Sequence, residues 1–159
     1  MSLWRFAVGA YAKPQAQAIF LELQDAHRQC VSLLLWRLWT LAERQPVDEP
    51  ILRAAVSTTK VWDHAAIRPL RDLRRSLEPL SPGFSDPQFS ALRRTVQACE
   101  LTAERLLLEA LEPLAAAQDK AKAEEPLRAL AALGDAWGAT PPKPLLRRLI
   151  RATCAVSTP

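Results

Sequence analysis

Residues 31–42 read VSLLLWRLWTLA, and no other stretch of the chain is as apolar. Apolar side chains there fall on nearly every side of a helix, which is typical of a helix surrounded by other helices. The stretch predicts a central helix over about residues 29–44. Its one charged residue, Arg37, needs a carboxylate or carbonyl partner once it is buried. We expect a structural ion pair with an acidic residue, and a ligand site is the alternative.

The composition agrees with a helical domain built around this segment. The 159 residues include 27 alanines and 26 leucines, but only four glycines and no asparagine. Such a chain favours helix over a β-sandwich or barrel with many turns. With 49% hydrophobic and 24% charged residues, disorder throughout is excluded. We therefore predict an all-α fold, a compact bundle of about five to six helices with a variable C-terminal extension.

Prolines divide the sequence on both sides of the central helix. On the N-terminal side we expect a short helix over residues 2–12 and a second helix that begins at Pro14. The inward face predicted for that second helix consists of Ala16, Ile19, Phe20, Leu23 and Ala26/His27. On the C-terminal side a fourth helix begins near Pro50 and breaks at Ser57–Thr59, where three hydroxyl residues have modest helix propensity.

A helical hairpin is predicted for the next part of the chain. A fifth helix covers about residues 60–77, and Pro69 should kink it. Residues 80–86, LSPGFSD, form the clearest loop, and a long helix then runs over about 87–111. Apolar residues recur along that helix at steps of three and four, as in bundle packing: Phe89, Leu92, Val96, Cys99, Ala103, Leu106 and Ala110.

After Leu114 the character of the sequence changes. We assign residues 1–114 to the bundle domain and residues 115–159 to a variable, basic, proline-rich extension with one or two short helices. The first of these should end at Gly134. From residue 126 onward there are five Lys and Arg and one Asp, so the excess positive charge lies there. We expect this extension to pack weakly on the bundle.

Three stretches resemble a known family. They are LWRFAVGAYA at 3–12, LQDAHRQCVSLLLWRLW at 23–39 and VWDHAAIRPLRDLRRSL at 61–77. The chain is similar there to proteobacterial helical proteins of about this length that are described only as a domain of unknown function. The resemblance covers about residues 2–114. It implies a cytoplasmic helical protein and supplies no catalytic residue.

The sequence carries no motif for metal or cofactor chemistry. Its two histidines, His27 and His64, lack the spacing of a metal site, and there is no glycine-rich phosphate loop. We therefore predict no cofactor, no metal and no catalytic residue. Three cysteines without CxxC spacing favour a reducing compartment, so we expect the cytoplasm. The apolar stretch at 31–42 is too short for a transmembrane segment.

One constellation stands out on the fifth predicted helix. Four basic side chains at steps of four, three and four share one face: His64, Arg68, Arg71 and Arg75. Guanidinium groups in such a row can bind a phosphate, a carboxylate or an acidic partner helix. We call this set the basic stripe.

The structural alternative for the basic stripe is pairing within the hairpin. Folding about Gly83 places Arg68 near Glu100 and His64 near Glu104 on the next helix. We therefore expect Arg68 to pair with Glu100, and Arg71 and Arg75 to be exposed.

A second polar cluster consists of Gln24, Asp25 and Arg28, near the entry to the central helix. We expect a non-enzymatic protein-interaction or adaptor module, with a protein partner or a second copy. The alternative is a protein or enzyme that holds a small anionic ligand in a pocket between helices. Binding of nucleic acid through the C-terminal arginines is the weakest reading, since basic groups are few. A pocket lined by Trp4, Trp62 and free arginines would favour the ligand, and a flat apolar patch would favour the partner.

Overall fold

The computed structural model describes residues 1–78, 87–115 and 123–154. Of these residues 85% are helical and none forms a strand, which confirms the all-α fold class. The helices are α1 Leu3–Tyr11, α2 Pro14–His27, α3 Val31–Ala42, α4 Glu49–Trp62, α5 Arg68–Leu77, α6 Pro87–Ala115, α7 Pro126–Trp137 and α8 Lys143–Cys154. The predicted loop at 80–86 and the tail at 155–159 lie outside the described residues.

The chain forms two compact units. The first contains Met1–Val56 and Leu108–Pro159, and the second contains Ser57–Leu107. In the first unit, α3 contacts α1, α2 and α7. All ten residues from 31 to 40 are buried, so the prediction of a central helix is confirmed. A helix that is apolar on every side can remove all of its apolar surface from water only when other helices surround it.

Local signals in the sequence fix the ends of the N-terminal helices. The Ser2 hydroxyl accepts a hydrogen bond from the backbone N–H of Arg5 and so caps α1. Pro14 occupies the first turn of α2, where its missing N–H costs nothing. Arg28 ends α2 in a left-handed conformation with φ of 53°. Four residues of the inward face predicted for α2 are buried, namely Ala16, Ile19, Phe20 and Leu23. Ala26 is exposed and His27 is half-buried at the end of the helix, so that part of the prediction is wrong.

The C-terminal helices belong to the core of the first unit. Helix α7 contacts α3, and α8 contacts both α2 and α7. Their leucines are buried at spacings of three and four residues, which are the spacings of one helix face: Leu130, Leu133, Leu145, Leu146 and Leu149. The expectation that this part packs weakly is therefore wrong.

Gly134 does not end α7 as predicted. The helix continues to Trp137, and Gly138 ends it with φ of 100°, a conformation that side chains disfavour. Gly134 is instead buried beneath Pro141, and a Cβ at Gly134 would overlap the proline ring. The glycine therefore permits a close approach of the following segment.

The second unit contains the end of α4, a π-turn, α5 and most of α6. The break predicted at Ser57–Thr59 is wrong, because α4 continues through it to Trp62. Thr59 is fully buried there. Packing of its side chain thus outweighs its modest helix propensity.

The distortion predicted at Pro69 occurs one turn earlier, as the π-turn Asp63–Ile67. Pro69 has no N–H to give to the carbonyl of Ala65, and its ring crowds that carbonyl in a regular helix. The wider π-turn relieves this conflict: the N–H of Arg68 donates to the carbonyl of Asp63, five residues back.

Candidate functional site

Arg71 occupies the centre of an ion-pair network in the second unit. Its Nε lies 3.0 Å from Oε1 of Glu100, and its Nη2 lies 3.0 Å from Oε1 of Glu104. Arg74 approaches the other oxygen of Glu100 at 2.6 Å. The Arg71 side chain is only 15% exposed, so the prediction that it is exposed is wrong. We call these four residues the Arg71 network.

Arg68 does not pair with Glu100 as predicted. Its Nη2 lies 2.7 Å from Oδ2 of Asp63, and its side chain is 60% exposed. In a regular α-helix residues five apart diverge around the axis, but the π-turn at 63–67 brings them onto one side. The π-turn holds one residue more than a regular turn and so rotates α5 about its axis. Arg71 therefore lies on the face that the sequence predicts for Arg68.

The direction of helical side chains supplies a second reason for the altered pairing. Side chains on a helix lean toward its N-terminus, and long ones lean furthest. In two antiparallel helices the charged ends of the partners are therefore displaced in opposite directions in space, because each leans toward the N-terminus of its own helix. Arg71 and Arg74 consequently meet Glu100 although they lie further along the chain than the residue predicted to do so.

Burial alters the electrostatics of the Arg71 network. Desolvation of the Glu104 carboxyl raises its pKa above the ordinary value, and the nearby Glu100 carboxylate raises it further. The Arg71 guanidinium opposes both effects but does not cancel them. Two arginines and two glutamates give this cluster no formal excess of positive charge.

The outer members of the basic stripe, His64 and Arg75, are exposed. The exposure predicted for Arg75 is thus confirmed. The stripe is divided in space: Arg71 points into the ion-pair network, whereas Arg68 lies against its own π-turn. As a binding site the stripe stays a prediction.

Trp62 supports the same unit from the end of α4. Its indole Nε1 donates to the backbone carbonyl of Ala103 at 2.8 Å. This bond attaches α6 to the end of α4, and the Arg71 network attaches α6 to α5.

The second predicted cluster is only partly brought together. Gln24 Nε2 donates to Asp25 Oδ1 at 3.3 Å. Arg28 contributes its backbone, because its carbonyl accepts a 2.8 Å hydrogen bond from the indole of Trp137. Binding at these three predicted residues also stays a prediction.

Arg37 forms the structural ion pair that the sequence predicts. Its buried guanidinium contacts the carboxylate of Glu124 at 2.5 Å and the hydroxyl of Thr40 at 3.1 Å. The Thr40 hydroxyl in turn donates to the carbonyl of Arg37. The charge inside the most apolar helix is thus neutralised by the segment that precedes α7.

A cavity of about 270 Å³ lies in the first unit beside this ion pair. Its lining comprises Thr40, Leu41, Arg44, Gln45, Pro46, Val47, Asp48, Ala123 and Glu124. In the described part of the chain, the Gln45 Oε1 atom is buried and accepts no hydrogen bond. Neither Trp4 nor Trp62 lines this cavity, unlike the pocket that would favour a small anionic ligand.

Exposed apolar side chains are concentrated in the second unit. Among the described residues, five of the eight exposed large hydrophobic residues belong to it. These five are Val61, Leu73, Leu92, Leu101 and Leu106. The other three, in the first unit, are Met1, Val8 and Leu21. Among the described residues, the second unit therefore has more exposed large hydrophobic side chains than the first.

A family model described as "Protein of unknown function (DUF2390)" matches residues 2–111. The chain belongs to this family. No curated protein and no solved structure matches it. The match agrees with the family resemblance of the sequence, and the domain boundary at residue 114 stays a prediction. In the described part of this DUF2390 protein, no three metal-ligating side chains come together and no helix is long and apolar enough to cross a membrane.

Two features of this DUF2390 protein differ from what its sequence predicts. Arg68 pairs with Asp63 although the two are five residues apart, and the signal for this pair is Pro69, which makes a regular helix unfavourable. The sequence places Leu92, Cys99, Leu106 and Ala110 on the packed face of α6, but all four are exposed. A spacing of seven residues joins Leu92 to Leu106 through Cys99, but it also joins Val96 to Ala103 on the buried face, so this spacing does not separate the two faces.

Proposed function

We propose that this DUF2390 protein is a cytoplasmic protein-interaction module without catalytic activity. Its binding surface is the outer face of α6 within the second unit. The supporting observation is that two exposed leucines, Leu92 and Leu106, lie on this face, because exposed apolar patches commonly mark interaction sites. An exposed thiol at Cys99 suits a reducing compartment.

The surface has a defined composition. Leu92 is 49% exposed and Leu106 is 47% exposed. At about 100° per residue, these leucines share one side of α6 with five further exposed residues. We call the whole set the α6 stripe: Ala91, Leu92, Thr95, Ala98, Cys99, Thr102 and Leu106. None of them is charged, although five charged residues occur between positions 91 and 106.

Both threonines of the α6 stripe turn their hydroxyl groups inward. Thr95 Oγ1 donates to the carbonyl of Ala91 at 3.0 Å, and Thr102 Oγ1 donates to that of Ala98 at 2.8 Å. With the hydroxyls bonded to their own helix, the methyl groups are left to face outward. The stripe is therefore more apolar than its sequence indicates.

The alternative of an anion site on the basic stripe has less support. Two members of the basic stripe already contact carboxylates: Arg68 contacts Asp63, and Arg71 contacts Glu100. An incoming anion would compete with covalently tethered partners, whereas a protein partner on the α6 stripe displaces only water.

Matched leucine variants of α6 test the proposal. Leu92→Arg puts a charge in the α6 stripe, whereas Leu101→Arg puts one on the opposite side of the same helix, at a residue that is 55% exposed. We expect native mass spectrometry of protein from its own cells to show a complex of defined stoichiometry. Leu92→Arg should reduce its yield about tenfold or more, because burying an unpaired charge is costly.

The control variant Leu101→Arg should leave that complex unchanged. Equal loss in both variants, or free monomer in the unmodified protein, would contradict an interaction surface on the α6 stripe.

A second candidate function rests on the cavity of the first unit. The unpaired Gln45 Oε1 atom needs a hydrogen-bond donor. Glu124 is already paired with Arg37, and Asp48 and Arg44 balance each other in charge, so a small polar ligand with N–H or O–H groups fits better than an anion. Native mass spectrometry would then reveal a bound small molecule that Gln45→Leu releases. The same amount of bound small molecule in both proteins, or none in either, would rule out this candidate.

A further inference from the structure

We infer that the α6 stripe binds the α6 stripe of a second copy of this chain, so that two molecules pair around Cys99. This inference rests on the proposed interaction surface and names its occupant. It follows from the order of the residues along the stripe, from what bounds the stripe, and from the absence of charge within it.

The most prominent positions of the α6 stripe repeat with steps of three and four. They are Leu92, Thr95, Cys99, Thr102 and Leu106, and we call these five residues the seam. Alternating steps of three and four give an average repeat of 3.5 residues, which is the repeat of a seam between two paired helices. The buried face of α6, which includes Val96 and Ala103, lies beside this seam and is already used within the molecule.

The order of residue types in the seam reads the same in both directions. Leucine, threonine, cysteine, threonine and leucine follow one another from either end. An interface between identical subunits related by a two-fold axis must be complementary to itself. Here leucine meets leucine and Cys99 meets Cys99 whichever way the partner helix runs, so an identical surface is a suitable occupant.

The seam is also bounded symmetrically. One step before Leu92 stands Gln88, and one step after Leu106 stands Glu109. These polar residues limit the apolar seam to about 21 Å of helix, at 1.5 Å per residue. Small Ala91 and Ala98 flank it and leave room for a second helix to approach closely. No like charges face each other within the seam.

Such a short interface belongs to the weak class of protein contacts. We therefore expect a reversible dimer that forms with rising concentration. Sedimentation equilibrium of the purified full chain should give 17.7 kDa at low concentration and a mass approaching twice that value at high concentration. Leu106→Arg should remain at the lower mass throughout, and Leu101→Arg should dimerise like the unmodified protein.

Disulfide capture provides a test without any change to the seam. In a Cys30→Ala/Cys154→Ser variant only Cys99 can react, and mild oxidation with diamide should give a covalent dimer in high yield. Adding Leu106→Arg should lower that yield about tenfold, with an unchanged melting curve showing that the variant is folded. The Cys99→Ser protein should give no dimer.

The outcomes separate this inference from the proposed function. A constant mass of 17.7 kDa at every concentration, with no covalent dimer, overturns the pairing of two copies. If Leu92→Arg nevertheless abolishes a complex with a different protein in cells, the interaction surface stands and its occupant is that protein. If no complex of any kind depends on Leu92, both proposals fail.

Discussion

Helices α3 and α5 are held in the fold by opposite means. Helix α3 buries ten consecutive residues, whereas α5 buries none of its ten. Burial of apolar surface dominates around α3. In α5 the long side chains of Arg71 and Arg74 reach partly buried carboxylates while the helix itself stays near solvent. The contrast teaches that two helices of one chain can owe their positions to different forces and should respond differently to substitution.

Removing α7 and α8 should destabilise the core around α3 more than any other change considered for that helix. These helices supply five buried leucines, each of which contributes about 1.5–3 kcal/mol. A domain of this size has a total stability of only about 5–15 kcal/mol. A chain that stops at residue 125 should therefore lose cooperative thermal unfolding, as followed by circular dichroism. A sharp transition close to that of the full chain would show that the first unit does not need them.

Glu100→Ala should be the most damaging single change on the α5 side. It leaves Arg71 and Arg74 without the carboxylate they share, and breaking a buried ion pair costs about 3–5 kcal/mol. Chemical denaturation of the variant and the unmodified protein measures the loss.

Arg68→Ala is the matched control for Glu100→Ala, because its ion pair with Asp63 is largely exposed. It should cost only about 0–1 kcal/mol. Arg71→Ala combined with Glu100→Ala should cost less than the sum of the single changes. Equal losses for Glu100→Ala and Arg68→Ala would mean that charge does not hold α5.

Substitutions at two glycines, Gly134 and Gly9, test how closely the first unit is packed. Gly134→Ala forces a methyl group against Pro141 and should destabilise the protein by about 1–3 kcal/mol. Gly9→Ala has open space around it inside α1 and should stabilise by about 0.5–1 kcal/mol. Opposite shifts in melting temperature check this, and a gain for both would indicate that Pro141 moves aside readily.

The smallest effect concerns pH and Glu104. Its raised pKa means that the folded state keeps the proton longer than the unfolded state does. Stability should therefore fall as the pH rises from the ordinary carboxyl value of 4.5 through the raised value, and remain reduced above it. Glu104→Gln should remove this decline and change stability at pH 7 by less than about 1 kcal/mol. A steeper decline in the variant would reverse the sign of the argument.

The sequence predicts the α3 side of the comparison better than the α5 side. Apolar periodicity identifies α3 and the inward face of α2, because burial of those residues is what positions them. It misplaces Arg68 and Arg71, because a π-turn rotates the helix between Trp62 and α5 and long side chains lean along it. The local signal for that turn is Pro69. A proline by itself predicts a kink at its own position, whereas the turn lies before it, at Asp63–Ile67.

The exposed face of α6 illustrates another limit of periodicity. Leu92 and Val96 both fit a step of three or four residues, yet one is exposed and the other is buried. A pattern of apolar residues marks every face that excludes water, whether the partner is in the same molecule or in another. Only the contacts within the fold distinguish the two.

The ion pair of Arg37 with Glu124 has a consequence for exchanging parts between relatives. Arg37 lies inside the family match at residues 2–111, and its counter-charge Glu124 lies outside it. A chimaera that joins this N-terminal region to the C-terminal region of another family member inherits a buried guanidinium. It can fold well only if the donated region brings a carboxylate to the same place. The C-terminal region can thus be exchanged only for one that supplies a carboxylate to Arg37.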